Sequence, residues 1–169
     1  MAGRVASMKR SNAALKPSRS AEADAQPIDF DELPTYVGYL VRRTQTRIFG
    51  EFEATLADFD FTPGSFGVLT VVRANPGITQ VSLAAAFGVD KSTMSPVVVR
   101  LEKRGLIRRE VLASDRRCHA LYFERAAEAT FLAAREKVRA FEAGVAARLS
   151  KAEQRELARL LRKLQDARS

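Results

Sequence analysis

The sequence predicts a mainly α-helical fold with a small two- to three-stranded β-sheet, and three observations support this prediction. Nine glycines and six prolines among 169 residues leave long uninterrupted stretches, which favours helices. Apolar residues recur at helical spacing through most of the chain. The exception is the stretch from Leu106 to Phe123, where two short apolar runs flank a charged loop, as in a hairpin.

The beginning of the chain predicts a tail followed by a long helix. Residues 1–29 are rich in alanine, serine and basic residues and poor in large apolar side chains, so we expect a disordered, mildly basic arm. Such an arm is either a solvated tail or an extension that touches a partner. Order is expected from about Leu33, because Pro34 suits the first position of a helix that runs to about Asp58.

Three shorter helices should follow, each opened by a capping side chain and closed by a residue that stops a helix. A capping oxygen satisfies a free backbone N–H of the first turn, and glycine adopts the left-handed backbone that ends a helix. The predicted helices run from Thr62-Pro63 to Asn75-Pro76-Gly77, from Thr79 to Gly88, and from Asp90 to Gly105.

Beyond the fourth helix the sequence predicts a hairpin and then two further helices. Strands over Leu106 to Val111 and Cys118 to Phe123 should flank a loop from Leu112 to Arg117. A long alanine-rich helix is expected from about Arg125 toward Leu149. The capping box from Ser150 to Glu153 then opens a last helix. Four leucines give that helix one apolar stripe: Leu157, Leu160, Leu161 and Leu164.

Composition limits the classes of function. The formal net charge of +8 indicates a polyanionic partner, with nucleic acid the first candidate and an anionic membrane surface the second. No apolar run approaches the roughly 18–20 residues that span a bilayer, so no membrane segment is expected. One cysteine excludes an internal disulfide and fits a reducing cytoplasm.

The sequence carries no sign of an enzyme. One cysteine and one histidine cannot build a usual structural zinc site within one chain, so we expect no metal. Paired carboxylates at a distinctive spacing and a glycine-rich phosphate loop are both missing from the sequence, so we expect neither catalytic residues nor a cofactor. Cys118 and His119 are neighbours in a predicted strand and point to opposite faces, which favours an idle thiol over a reactive pair.

The fourth helix is the strongest candidate for contact with duplex DNA. Its apolar face is predicted to be buried, which leaves small polar and basic side chains near the helix start on the other side. Backbone N–H groups at a helix N-terminus favour phosphate oxygens, and short side chains can reach base edges. The candidate contacts are Lys91, Ser92, Thr93, Ser95, Pro96 and Arg100.

The hairpin tip is the second candidate for DNA contact. Arg116 and Arg117 can enter the minor groove, where the electrostatic potential is most negative, while Asp115 pairs with an arginine and stiffens the tip. From Asp90 to Arg117 there are eight basic and four acidic residues, a local excess of four positive charges. The bland alternative is a solvated basic surface, but the ordered series of caps, glycine stops and hairpin favours DNA binding.

At these residues the chain resembles the MarR family of bacterial transcriptional regulators. The matching pieces are Leu83-Ala84 through Phe87-Gly88-Val89, then Asp90 to Thr93, Arg100 to Ile107, and Asp115-Arg116-Arg117. The resemblance implies a winged helix-turn-helix domain over residues 61–124. It also implies a helical dimerisation region over residues 30–60 and 125–169, and a homodimer on double-stranded, near-palindromic DNA.

The resemblance also implies a small-molecule effector. The expected function is a ligand-responsive regulator, a repressor released from its operator by a small aromatic acid or its coenzyme A thioester. Most aromatic residues of the chain lie between Tyr36 and Phe66, near an arginine, where rings and a cation could hold such a ligand. The candidate lining is Tyr36, Tyr39, Arg43, Phe49, Phe52, Phe61 and Phe66. The alternatives are that these rings are core, and that the protein is an architectural DNA-binding protein without an effector.

Overall fold

The computed structural model describes residues 27–112 and 115–166, and the backbone alone at residues 112 and 115–118. Within these residues the chain forms α1 (Val37–Thr55), α2 (Pro63–Ala74), α3 (Gln80–Ala86), α4 (Lys91–Lys103), α5 (Glu128–Ala146) and α6 (Lys151–Asp166). The strands are β1 (Ile78–Thr79), β2 (Ile107–Leu112) and β3 (Asp115–Phe123). Residues 1–26 of the predicted arm lie outside the described residues, so the arm stays a prediction.

The first helix is shorter than the sequence predicts. Pro34 lies in a separate 3-10 turn, Leu33–Thr35, and α1 begins only at Val37. At its other end α1 stops at Thr55 rather than Asp58, because the backbone leaves the helical region and a second 3-10 turn, Ala57–Phe59, follows. The Ala57–Phe59 turn ends at Asp60, whose φ of 51° is left-handed.

The predicted starts and stops of the middle helices are confirmed. Thr62 and Ser65 form a reciprocal capping box, in which Ser65 N donates to Thr62 Oγ1 (3.2 Å) and Thr62 N donates to Ser65 Oγ (2.9 Å). Gly88 and Gly105 follow α3 and α4 with φ values of 63° and 67°. A side chain at either glycine would strain the backbone, which explains why both helices end there.

The last two helices differ in their N-terminal capping. A 3-10 turn, Arg125–Ala127, precedes α5, and no side chain caps that helix. By contrast, the predicted capping box of α6 is confirmed: Ser150 N donates to Glu153 Oε2 (2.8 Å), and Glu153 N donates to Ser150 Oγ (3.3 Å).

The sheet has three antiparallel strands in the order β1-β3-β2 and corrects two predictions. The second hairpin strand begins at Asp115 rather than Cys118, so the predicted loop from Leu112 to Arg117 is too long. Leu112 pairs with Asp115 after a register shift that follows Val111. The sequence pattern also predicts no strand at Ile78–Thr79, although this short β1 pairs with β3 through Ile78 and Leu121.

The core is formed by the inner faces of α1 to α5 and by the sheet. Phe131 of α5 is 2% exposed and occupies its centre. Its ring stacks on Phe66 of α2, with centroids 5.6 Å apart, and meets the ring of Phe123 edge-on at 5.7 Å. Arg73 of α2 reaches over the Phe131 ring and binds Glu128 of α5 through two hydrogen bonds of 3.1 and 2.6 Å. These contacts fix α2 against α5.

The connection between α1 and α2 contacts two other parts of the molecule. Asp58 pairs with Lys137 of α5 at 2.8 Å, and the Lys137 ammonium lies 5.2 Å from the Phe59 ring centroid. The Phe59 ring stacks on Phe61 at 6.5 Å. The guanidinium of Arg104, which follows α4, lies 4.7 Å above the Phe61 ring. A continuous series of contacts therefore joins α5 to the end of α4.

Within residues 27–112 and 115–166, none of the helices combines the length and apolar character that a membrane crossing requires.

Candidate nucleic-acid interface

A tight turn joins α3 to α4 and leaves one face of α4 exposed to solvent. The Thr79 side chain caps α3 by accepting from Ser82 N at 3.1 Å. Val89 N donates to Ala84 O at 3.1 Å, which closes the turn around Gly88. Asp90 then caps α4 by accepting from Thr93 N at 2.7 Å. Because both helices are capped by side chains next to the turn, the direction of α4 is fixed by local sequence.

One face of α4 is buried as the sequence predicts. Met94, Val98 and Leu101 are between 0 and 3% exposed, and Val97 is partly buried against the same core. Their spacing of three and four residues places them on one stripe. The burial of this stripe leaves the opposite face of α4 available for a partner.

The outward face of α4 carries most of the predicted contacts near its start. Lys91, Ser92, Thr93 and Pro96 are exposed, and Ser95 is half-buried. The helix continues through Pro96 without interruption. The Ser92 hydroxyl donates to Asp90 Oδ1 at 2.6 Å, so it shares the capping oxygen with the backbone N–H of Thr93. Hydrogen bonds from Ser92 and Thr93 hold the pKa of Asp90 below its usual value.

Four of the six basic side chains that the structure describes between Asp90 and Val111 form ion pairs within the molecule. Arg100 pairs with Asp60, and Arg104 donates to the carbonyl oxygens of Phe59 and Asp60. Two arginines of β2 pair with acidic side chains: Arg108 with Glu110 and Glu124, and Arg109 with Glu102. Among the side chains that the structure describes between Asp90 and Val111, the basic groups outside these pairs are Lys91 and Lys103. Among these six side chains, two lysines are therefore left unpaired for contact with phosphates, while the four arginines already have acidic partners.

The predicted tip residues belong to the second hairpin strand. The backbone of Asp115, Arg116 and Arg117 extends β3 next to the end of β2. The side chains of these residues and of Cys118 lie outside the described residues, so their roles stay predictions. His119 is exposed and pairs across the ladder with Val111.

The predicted effector lining divides into three groups. Phe52 and Phe61 are buried, and Phe66 packs against them, so these rings belong to the core. Tyr39 and Arg43 contact each other in the first half of α1, with the guanidinium of Arg43 5.7 Å from the Tyr39 ring centroid. The remaining two are exposed: Tyr36, whose hydroxyl donates to Glu32, and Phe49.

An arginine-lined groove runs along α1. It measures about 280 Å³ and is lined by Leu40, Arg43, Thr44 and Arg47. Arg47 also pairs with Glu51, which accepts as well from Arg148 in the turn that follows α5. Hydrogen bonds from these two arginines lower the pKa of Glu51, so its carboxylate stays ionised near neutral pH.

An apolar groove lies between the start of α1 and α6. It measures about 510 Å³, and its walls are mostly leucine and valine. The four leucines of the predicted α6 stripe are between 39% and 57% exposed in the single chain. Together with Val37 and Val41, they form one contiguous exposed apolar surface, which we call the α1–α6 groove. Exposed apolar patches of this kind mark interaction surfaces.

Sequence reasoning missed Asp60, which contacts both arginines on one side of α4. It also left Lys103 out of the candidate contacts, although this lysine is exposed in the last turn of α4. The helical repeat could have found Lys103, which lies three turns beyond Ser92 on the outward face. For Asp60 the sequence offers only an aspartate in a turn, because its partners are 40 and 44 residues further along the chain.

The capped helix pair, the tight turn and the hairpin define the winged helix-turn-helix class of DNA-binding proteins. The MarR family model matches residues 61–119, which hold these elements. A proposed transcriptional regulatory protein for the hcr operon of Thauera aromatica is 33% identical over 147 residues, which are 86% of this chain and 89% of that protein. The chain belongs to the MarR family of transcriptional regulators, a family of regulators rather than enzymes.

Solved structures of the same family share the whole fold. The repressor CouR bound to a 23-mer DNA duplex is 30% identical with a TM-score of 0.76, and the match covers 83% of this chain and 99% of CouR. CouR bound to p-coumaroyl-CoA is 27% identical over the same shares, with a TM-score of 0.77. PcaV of Streptomyces coelicolor with its natural ligand is 26% identical, covers 86% of this chain and 100% of PcaV, and has a TM-score of 0.74.

Proposed function

We propose that this protein is a homodimeric repressor that binds a near-palindromic operator and is released from it by a small aromatic acid or its coenzyme A thioester. The observation that carries the proposal is α4, whose one face is buried in the core while its capped start projects short polar side chains outward. A helix with this division suits the major groove, which is wide enough to admit it.

The side chains at the start of α4 have distinct expected roles. The Lys91 ammonium neutralises a phosphate, and the exposed Pro96 ring offers an apolar contact to a thymine methyl group. While the Ser92 hydroxyl donates to Asp90, its oxygen can only accept. Ser92 therefore suits an amino group of adenine or cytosine better than a phosphate. At the hairpin, Arg116 and Arg117 are assigned to the minor groove, with Asp115 as their support.

The α1–α6 groove supports the homodimer. Its leucines and valines are exposed in one chain, and a symmetric partner would cover them with the same residues of its own. Such a dimer brings two copies of α4 to one face. Successive major grooves on one face of DNA lie about 34–36 Å apart, which sets the spacing that the two helices must match.

The effector is inferred from relatives and from the arginines of α1. CouR has been solved with p-coumaroyl-CoA and PcaV with its natural ligand, and both share the fold of this chain. Arg43 and Arg47 line one groove, and Arg43 lies against Tyr39, which suits a ligand that has both phosphates and an aromatic body. The ligand releases DNA only if it binds more tightly to a dimer shape that does not fit the operator.

Substitutions at the interface test the DNA-reading roles. Arg117→Ala should weaken operator binding about tenfold or more and reduce the salt slope by about one per subunit, because a positive contact is lost. Ser92→Ala and Ser95→Ala should change the preferred base at one position of each half-site. Fluorescence anisotropy over a range of salt concentrations, with a library of operator variants, measures both effects.

The matched control for these variants is Arg139→Ala on α5. It removes the same charge from an exposed arginine that pairs with Glu136, far along the sequence from the reading unit. Its operator affinity and salt slope should equal those of the wild type. Wild-type affinity and base preference in all three interface variants would contradict the assigned roles.

A ligand panel tests the effector. Benzoate, hydroxybenzoates, hydroxycinnamates and their coenzyme A thioesters should include at least one compound that raises the melting temperature and releases the operator. Differential scanning fluorimetry and anisotropy measure the two effects. Arg43→Gln should diminish the response to a thioester more than the response to the free acid, because the phosphates lose a partner. A panel without any stabilising compound would remove the effector and favour an architectural DNA-binding protein.

A further inference from the structure

Asp60 occupies a backbone position that few side chains adopt. It lies between the Ala57–Phe59 turn and the cap of α2, with φ at 51° and ψ at 45°. Glycine fits this left-handed conformation most easily, and aspartate and asparagine tolerate it because their short side chains can hydrogen-bond locally. The Asp60 carboxylate is largely exposed and pairs with Arg100 of α4 and with Arg104, which follows α4.

The two arginines are held in different ways. Arg104 donates to the carbonyl oxygens of Phe59 (2.6 Å) and Asp60 (2.7 Å), lies over the Phe61 ring and is 24% exposed. Its guanidinium is thus fixed by groups other than the carboxylate. Arg100 is 49% exposed, and the hydrogen bond described for its side chain goes to Asp60 Oδ1 at 2.5 Å. Arg100 is therefore the more easily displaced of the two.

Arg100 lies at the edge of the outward face of α4. It is one turn beyond Pro96 and two turns beyond Thr93, both of which are exposed. A guanidinium at this edge can turn from Asp60 to a phosphate at the rim of a groove that α4 enters. Exposed ion pairs contribute little net stability, so a phosphate can compete with Asp60 for this arginine.

We propose that Asp60 is an internal counter-ion that holds Arg100 away from the DNA backbone and thereby lowers affinity for DNA of any sequence. The proposal depends on the proposed entry of α4 into a groove. Contacts to phosphate carry no sequence information, so withholding one from each subunit weakens binding to operator and non-specific DNA alike and leaves base reading intact. Asp60 then sets the overall affinity for DNA and leaves the base preference to the start of α4. Hydrogen bonding and proximity to Arg100 lower the pKa of its carboxyl, which keeps it ionised near neutral pH.

The substitution Asp60→Asn tests this role. Asparagine keeps the size of the side chain and tolerates the left-handed backbone, but it lacks the charge that retains Arg100. Affinity for a non-specific duplex should rise about three- to tenfold. The salt slope should steepen by about 0.9 for each arginine that reaches a phosphate. Affinity for the operator should rise by a similar factor, so the ratio of operator to non-specific affinity should stay nearly unchanged. Asp60→Gly, which suits the same backbone, should give the same slopes and provides a second folded variant.

Two comparisons isolate the cause. Asp58→Asn makes the same charge change two residues earlier, where the partner is Lys137 of α5, and should leave the salt slope unchanged. In an Arg100→Ala background, Asp60→Asn should have no further effect, because the arginine that it releases is gone. Circular dichroism and melting temperatures verify that each variant is folded.

The outcomes separate this inference from the proposed function. Wild-type binding to DNA together with equal slopes for Asp60→Asn and Asp58→Asn would overturn the counter-ion role alone. Loss of affinity in Asp60→Asn would overturn it too, because Asp60 would then position Arg100 for DNA. A wild-type protein that binds no duplex at all would remove the proposed function and this inference with it.

Discussion

Leu160→Glu should convert the proposed dimer into a monomer and abolish tight operator binding. Leu160 belongs to the α6 stripe and lines the α1–α6 groove. Burying one leucine side chain is worth about 1.5–3 kcal/mol, and a two-fold interface loses the contribution of both copies. Burying a carboxylate at the same place adds a further penalty. The dissociation constant of the dimer should rise at least about a hundredfold, since about 1.4 kcal/mol corresponds to a factor of ten.

Sedimentation and mobility-shift assays measure the two consequences of Leu160→Glu. Arg155→Gln is the matched control, because it makes the same change of net charge on the opposite side of α6. This control should remain dimeric and bind the operator as the wild type does. A Leu160→Glu protein that stays dimeric would place the subunit interface elsewhere, and a monomer with wild-type operator affinity would show that dimerisation does not support binding.

Phe131→Ala should destabilise the folded protein by about 3–5 kcal/mol, the range for removing a large aromatic ring from a core. Phe131 is 2% exposed, and its ring contacts Phe66 and Phe123. Truncation leaves a cavity between α2, α5 and the sheet, and it also removes the ring beneath Arg73. Urea unfolding followed by circular dichroism, at one fixed protein concentration, measures the loss.

The control for Phe131→Ala is Phe49→Ala, which removes the same atoms from a ring that is 42% exposed. Its unfolding free energy should change by less than about 1 kcal/mol, because substitutions outside the core leave no cavity. Equal losses in the two variants would show that Phe131 is not central to the core.

Most helix boundaries of this chain can be predicted from the local sequence. Thr62, Thr79 and Asp90 each cap a helix with their own side chain, so the start is visible without knowledge of the fold. The first helix was predicted too long because Ala57 to Phe59 continues the helical composition. There the chain must turn toward α2, and tertiary packing overrides propensity.

The sheet was harder to predict, because strand pairing is decided by backbone hydrogen bonds between distant residues. The strand β1 has only two residues and therefore shows no alternation. Its place is set by contacts such as Gly77 N donating to Leu121 O at 2.9 Å. The start of β3 is a charged run, Asp115 to Arg117, which composition assigns to a loop, whereas its backbone pairs with the end of β2.

Helical spacing alone predicted which face of α4 is buried, but it could not predict the ion-pair partners of the arginines. Spacing within one helix is a local property, whereas the partner of Arg100 is Asp60, 40 residues earlier. The same limit applies to the predicted effector lining. Sequence proximity grouped three phenylalanines with Tyr39 and Arg43. The fold places Phe52, Phe61 and Phe66 in the core, whereas Tyr39 and Arg43 contact each other in the first half of α1.

The contacts from Lys137 through Phe59 and Phe61 to Arg104 pack the α1–α2 connection against both α5 and the end of α4. Aromatic rings in contact resist compression, so a shift of α5 has to displace the end of α4 as well. The orientation of α4 is thereby coupled to the position of α5. In the proposed dimer, a compound that shifts α5 would therefore change the separation of the two α4 helices without contacting either of them.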